Sequence, residues 1–279
     1  MLSRRTFLNN LGRVAAVGAL SGAAGLGYAN RVAPFDYEIT RTRIPVADLA
    51  PDLEGFRVVH LSDFHAEELR LSYFEQIVNE VNALEPDIVA MTGDFVTRDP
   101  KAAYDLAPIL AQLRARYGVF SCFGNHDLWA GEEAMRRGFE ASGLSVFIDE
   151  GQLLTVGEAQ LYVAGSADAW HRPPVLDVLF EKIPEGTPSI VMVHEPDAFD
   201  EVAGDARVSV QLSGHSHGGQ IKLPFVGPPF LPGRGRKYPE GLYRLRGTQL
   251  YTTRGVGVSG LPLRFNCRPE ISALSLERA

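Results

Sequence analysis

Five short apolar runs in this chain each end on residues that can ligate a metal. Phe56 to Leu61 leads into Ser62-Asp63-Phe64-His65, Ile88 to Thr92 into Gly93-Asp94, and Val119 to Phe123 into Gly124-Asn125-His126-Asp127. Ile190 to Val193 leads into His194, and Val208 to Leu212 into Gly214-His215-Ser216-His217. Short runs of this composition, bounded by turn formers, read as buried strands; Tyr162 to Ala164 is a sixth of the same kind. Ser72 to Leu84, Ala102 to Tyr117 and Glu132 to Ser142 carry apolar residues at helical spacing between them. Strands alternating with helices imply sheets covered by helices. Sites in such sheets form outside the carboxyl ends of the strands, so these groups converge although more than 150 residues of sequence separate the first from the last.

The donor set is mixed: Asp63, His65, Asp94, Asn125, His194, His215 and His217. Imidazole with carboxylate suits Zn, Mn or Fe better than it suits Ca, which prefers oxygen throughout. Seven side chains exceed the needs of one tetrahedral ion and fit two ions that share a bridge. Asp94 is the natural bridge, because a carboxylate has two oxygens to offer and a neutral imidazole one lone pair. His215 and His217 alternate, so in an extended segment they face opposite ways and serve different centres. Taken singly, a histidine at a strand end is usually structural and an Asp after Gly a turn former; the ordered set carries the reading. His60 and His171 are read as structural or surface residues.

In the order D-x-H, GD, GNHD, a lone His and GHxH, these segments resemble the calcineurin-like metallophosphoesterase superfamily from about Val58 to Gln220. The resemblance implies an α/β fold, a metallophosphoesterase-type sandwich of two mixed β-sheets flanked by helices in four αββα layers. It implies two divalent metal ions (Mn, Zn or Fe), with Asp63, His65 and His217 on one, Asn125, His194 and His215 on the other, and Asp94 bridging. It further implies a catalytic His126 that donates to the phosphate or leaving group, with Asp127 orienting its ring. The implied reaction is hydrolysis of a phosphoester, a diester in preference to a monoester, by a metal-activated hydroxide. Two alternatives stand beside it. One is a pyrophosphohydrolase of a nucleotide-linked lipid such as UDP-diacylglucosamine; the other is a non-catalytic binding scaffold, against which the intact donor set argues. A metallo-β-lactamase type of hydrolase would need a clustered HxHxDH stretch, which is absent.

The chain starts MLSRRTFLNN, and an apolar run from Val14 to Tyr28 follows, short of the ~20 residues a bilayer span needs. SRRTFL resembles the twin-arginine export signal, with small residues for cleavage near Ala29. Together with GHSHGGQ and the tail LPLRFNCRPEI, it points to the exported bacterial branch of the superfamily. The expectation is a signal over 1–29, or an anchor if uncleaved, then one metallophosphoesterase domain over 30–279. The twin-arginine machinery would be a partner, and the location the periplasm or the outer face of the cytoplasmic membrane. Without residues 1–29 the chain has 24 basic against 34 acidic residues, so general nucleic-acid binding is not expected. Cys122 and Cys267 are read as either a pair or buried free thiols. Lys222 to Tyr243 holds Phe225, Phe230 and Leu231 beside Arg234, Arg236 and Lys237. It is expected to be a substrate loop offering apolar surface and cations to a lipid- or envelope-linked phosphoester, with peripheral membrane association; an ordered Pro/Gly loop with solvated charges is the alternative. Arg254, after a strand-like run, could reach phosphate, but a surface salt bridge is the expectation.

Overall fold

Strands whose two faces are both covered are continuous apolar runs, and here the two faces meet different partners. In strand β2 (Arg57–Leu61), Val58 points into one hydrophobic cluster while Val59 and Leu61 point into another; in β3 (Ile88–Thr92), Ile88 and Ala90 part from Val89 and Met91 in the same way. The computed structural model describes residues 25–166, 168–171 and 176–279. The twin-arginine stretch and most of the expected signal lie outside them.

One sheet has the order β1 (Glu38–Val46), β11 (Glu270–Arg278), β2, β3 and β4 (Gly118–Cys122). The other has the order β5 (Glu150–Val156), β6 (Ala159–Gly165), β7 (Ser189–Met192), β8 (Val210–Ser213), β10 (Thr248–Thr252) and β9 (Gly241–Leu245). Both are mixed: β11 runs antiparallel to β2, and β6 and β10 run antiparallel to the edge strands β5 and β9. Residues such as Ile44, Ile88, Phe120, Leu161, Ile190 and Leu212 fill the space between the sheets. Helices α1 (Leu71–Ala83), α2 (Lys101–Leu110) and α3 (Asn125–Glu140) cover the outer face of the first sheet. Leu179, Phe180, Ala198 and Val202 cover that of the second. The result is the expected four-layer sandwich.

The expected strand ends agree with the observed ones to within one or two residues except at β6, which starts at Ala159, three residues before the expected Tyr162, and the helices depart more. The expected helix from Ala102 stops at Leu110, not Tyr117. The Asn82 side chain accepts from the Arg114 backbone N–H (2.7 Å) and donates to the Gln112 carbonyl (2.9 Å), which holds that segment in a turn. The helix expected from Glu132 begins seven residues earlier at Asn125 and kinks at Gly131, where φ is 119°. Cys122 and Cys267 are buried and unbridged. Residues 25–31 are helical; Ala29 is buried and its carbonyl accepts the Arg264 backbone N–H at 2.9 Å. Among the described residues no helix is long and apolar enough to cross a membrane.

Candidate metal centre

Every expected donor sits just past the carboxyl end of a strand: Asp63 and His65 after β2, Asp94 after β3, Asn125 after β4, His194 after β7, His215 and His217 after β8. All seven are buried and all are brought together. Two groups of three present their donor atoms within 4.8 Å of one another, Asp63 with His65 and His217, and Asp94 with His194 and His215. Asp94 Oδ2 lies 3.1 Å from His194 Nε2 and 3.7 Å from His65 Nε2, so one oxygen faces both groups. The other oxygen of Asp94 accepts the His126 backbone N–H at 2.9 Å.

The backbone that delivers these groups is strained. Asp63, His65, Asp94, His215 and His217 all have φ between 45° and 67°, a left-handed conformation that costs about 1–3 kcal/mol for each non-glycine residue. Such strain persists only where surroundings over-determine it. Asp127 supplies much of that determination: its carboxylate accepts the backbone N–H groups of Asp94, Phe95, Val96 and Gly124, tying the loop after β3 to the start of α3. The expectation that Asp127 orients His126 is therefore corrected. The Thr97 carbonyl does so, accepting from His126 Nδ1 at 2.8 Å and leaving Nε2 as the free ring nitrogen. Gly214 is required for another reason: a Cβ there would collide with Ser62 Oγ and the Asp63 carboxylate.

Tautomers follow from the partners, because a carbonyl only accepts. His194 Nδ1 donates to the Thr92 carbonyl (2.5 Å) and His215 Nε2 to that of Gly233 (2.8 Å). The inward nitrogens, His194 Nε2 and His215 Nδ1, then face each other at 3.2 Å beside Asp94 Oδ2. Lone pairs so placed repel unless a positive charge, a proton or a metal ion, sits among them. His65 Nε2 and His217 Nε2 also face each other, at 3.1 Å, with Asp63 Oδ1 3.3 Å from the latter. Asn125 Oδ1 is buried without a protein partner. A buried amide oxygen in that condition is costly, and a cation would satisfy it. The donors present fit two metal ions on these grounds.

Electrostatics agree. Burial pushes His65 down to about 3 and His215 to about 4, and holds His217 well below the usual imidazole value, so all three stay neutral with a lone pair to offer. Burial also acts against the His194 cation, but the Asp94 carboxylate outweighs it and raises His194 well above its ordinary value. Asp94 is held below the usual carboxylate range, because the pull of His194, His126 and His65 exceeds the effect of burial. Asp63 is pushed up to about 6 by burial and by Asp94. The proton on His194 Nε2 is thus what a metal would displace.

The centre floors a cavity of about 680 Å³, walled by Trp129, Trp170, Ile221, Pro229, Phe230 and Leu261. Sequence reasoning missed the tryptophans. Trp129 packs edge-on to His126 (4.6 Å between centroids) and donates from Nε1 to His171 Nε2 (2.8 Å), while Asp168 takes the other nitrogen of His171. His171 is hence at the mouth of the site, whereas His60 is structural: it is buried, pushed down to about 3 by burial, and bonded to Thr92 Oγ1. Of the expected substrate loop, Phe230 lines the cavity, whereas Phe225, Leu231 and the three cations do not. Arg234 pairs with Glu201, Lys237 with Asp200, and the Arg236 backbone N–H with Asp197. Arg254 pairs with Glu38 and Glu270, mostly buried rather than at the surface.

Comparison with known proteins agrees with this arrangement. The chain is 34% identical over 281 residues to an uncharacterized metallophosphoesterase of Bacillus subtilis, YkuE, covering 99% of this chain and 98% of that one. It is 30% identical to the Escherichia coli phosphodiesterase YaeI over 99% of this chain and all of that protein. Haemophilus influenzae NAD nucleotidase shares the fold over 72% of this chain and 45% of its own, with a TM-score of 0.52 at 12% identity. Residues 56–219, which hold every donor described above, match the calcineurin-like phosphoesterases, and the chain belongs to that family.

Proposed function

We propose that this protein is a two-metal phosphoester hydrolase of the cell envelope that prefers phosphodiesters. The observation that carries the reading is the meeting of two donor groups at a single oxygen, Asp94 Oδ2, beside an unpartnered Asn125 Oδ1. Asp63, His65 and His217 would hold one ion, Asn125, His194 and His215 the other, and Asp94 both. Bound Mn, Zn or Fe ions supply Lewis acidity toward phosphoryl oxygens and lower the pKa of water to about 7.

His126 lines the same cavity with its ring fixed by Thr97, so a proton on Nε2 is placed for a phosphoryl or departing oxygen. Trp129 limits the rotation of that ring. The preference for diesters rests on charge: among the described residues no Arg or Lys side chain lines the cavity, so a monoester dianion would gain no cation from them. The name of the Escherichia coli relative supports the same preference. Arg4 and Arg5, followed by the apolar run, support export by the twin-arginine route. The complete donor set favours catalysis over a scaffold that keeps only the fold.

The test is hydrolysis of bis(p-nitrophenyl) phosphate with added Mn²⁺. Asp94→Asn should lower kcat/KM by about 10³-fold or more, some 4 kcal/mol of transition-state stabilisation, and should reduce bound metal from two ions per chain. Equal rates for the two proteins would overturn the reading.

A further inference from the structure

We propose that the mouth of this cavity docks on a lipid bilayer and takes from it a phosphoester carrying a long apolar tail. The proposal rests on the phosphoesterase reading and names the substrate class of that site. Two of the walls described above, Phe230 and Leu261, are themselves exposed, and Phe225 and Val226 are exposed in the same loop as Phe230. Phe225 is fully exposed, Val226 is 74% exposed, Phe230 71% and Leu261 59%. A soluble phosphoester would give such a rim nothing to bury, and monomeric proteins rarely expose contiguous apolar surface of this kind without a binding role.

The rim is built rather than slack. Leu223 and Gly227 close a tight turn through the Leu223 N–H to the Gly227 carbonyl and the Gly227 N–H to the Leu223 carbonyl, both at 2.9 Å, which leaves Phe225 and Val226 at its tip. Pro224, Pro228, Pro229 and Pro232 stiffen the segment. Phe225 holds φ at 65°, a conformation in which glycine or asparagine is cheaper, so chain reversal alone does not account for a phenylalanine there. On the facing side, the Gln220 side chain fixes the other lip by bonding the backbone of Ser259 and Leu261.

The chain itself indicates the occupant. Residues 29 and 30 are pinned to the segment that carries Leu261: the Ala29 carbonyl accepts the Arg264 N–H, and Asn30 Nδ2 donates to the Pro262 carbonyl at 2.6 Å. The apolar run from Val14 to Tyr28 therefore joins the body beside the lip of the cavity. Leu26, Tyr28 and Val32, at that junction, are exposed as well. A membrane surface accommodates all of these groups at once. A protein partner would accommodate the rim without needing the run. The formal charge of −7 means that apolar contact, not attraction to anionic lipid, would hold the protein there.

The test uses the full chain with phosphatidylcholine vesicles, in wild type and in the variant Phe225→Ser with Val226→Ser and Phe230→Ser. Sedimentation with vesicles should persist at about 0.5 M salt, which screens contacts between exposed charges, and should fall at least about tenfold in the variant, whose thermal midpoint checks its folding. Hexadecyl p-nitrophenyl phosphate in the vesicles, compared with methyl p-nitrophenyl phosphate in solution, gives a ratio of rates that should also fall about tenfold in the variant. Vesicle binding and a rate ratio that are both unchanged in the variant would overturn the docking proposal; loss of binding only at high salt would do the same. Failure of wild type to cleave either ester would instead overturn the phosphoesterase reading on which it rests.

Discussion

The floor and the rim of one cavity invert the ordinary partition of side chains in opposite ways. On the floor, carboxylates, an amide and imidazoles are buried; on the rim, phenylalanine, valine and leucine are exposed. Both arrangements are unfavourable for an isolated chain. The floor is held by backbone N–H groups converging on Asp127 and by carbonyls that fix each imidazole, so its cost is met by a network inside the fold. The rim is held in shape by prolines, one tight turn and the bonds of Gln220 to Ser259 and Leu261, and no such network covers its apolar side chains. A defect in the floor should therefore disturb chemistry and stability together, whereas one in the rim should leave the fold alone.

The largest effect expected is His126→Gln. Removing the one cavity imidazole that is not a donor to either group should lower kcat for the aryl diester by about 10² to 10⁴-fold, with two metal ions retained on analysis. Loss of metal in that variant would move His126 into the donor set and erase the distinction between holding and reacting groups. Next comes metal removal. Treatment with a chelator should lower stability by about 3 kcal/mol relative to protein with free metal at a hundred times Kd, seen as a lower urea midpoint that Mn²⁺ restores; an indifferent midpoint would mean that the floor is satisfied without cations.

Acid should affect the metal-free floor on a smaller scale. Unfolded imidazoles titrate near 6.5, whereas His60 and His65 stay neutral in the fold down to about 3 and His215 to about 4. Between those values the unfolded chain binds more protons, so the stability is present above about 6.5 and is lost as pH falls toward 4, by up to about 1.4 kcal/mol per pH unit for each group. Asp63, raised to about 6, Asp127, raised to about 8, and Glu195, raised well above its ordinary value, all mainly by burial, act in the opposite sense and offset three such groups. Urea midpoints of chelated protein should therefore decline chiefly below about pH 4, where those acids no longer compensate and His60 and His65 still resist protonation, and a flat series from about pH 5 to 3 would contradict the burial of neutral imidazoles. The smallest effect belongs to the rim: Phe225→Gly should raise the midpoint by up to about 1 kcal/mol by relieving the left-handed backbone. A marked loss would show that the turn depends on its aromatic side chain.

What the sequence revealed follows the same division. β2, β3, β4, β7 and β8 were legible because strands covered on both faces are unbroken apolar runs, and the donors that follow them could be named one by one. β1, with the sequence EITRTRIPV, is an edge strand of mixed burial whose charged residues conceal it, and β11 went unread as a strand in the C-terminal tail. The role of Asp127 was open to detection, since it is the third residue of a helix that starts at Asn125, a position where a carboxylate reaches back to the preceding backbone. The helix start was misplaced, and the role with it. Trp129, Trp170 and His171 meet only through tertiary packing, and no local spacing announces a wall assembled from two distant segments. The cations at 234–237 were assigned to substrate because their acidic partners, Asp197 to Glu201, lie more than thirty residues away in sequence.

The last strand of the first sheet lies between the first strand and β2, parallel to one and antiparallel to the other. During synthesis that slot stays vacant until Glu270–Arg278 has left the ribosome, so the sheet cannot close on a product that lacks it. A polypeptide cut short by even one such segment would present two unsatisfied edges, each a template for pairing with a neighbouring chain. Arrival of that strand, rather than any earlier event, is what satisfies both edges and guards the sheet against self-association.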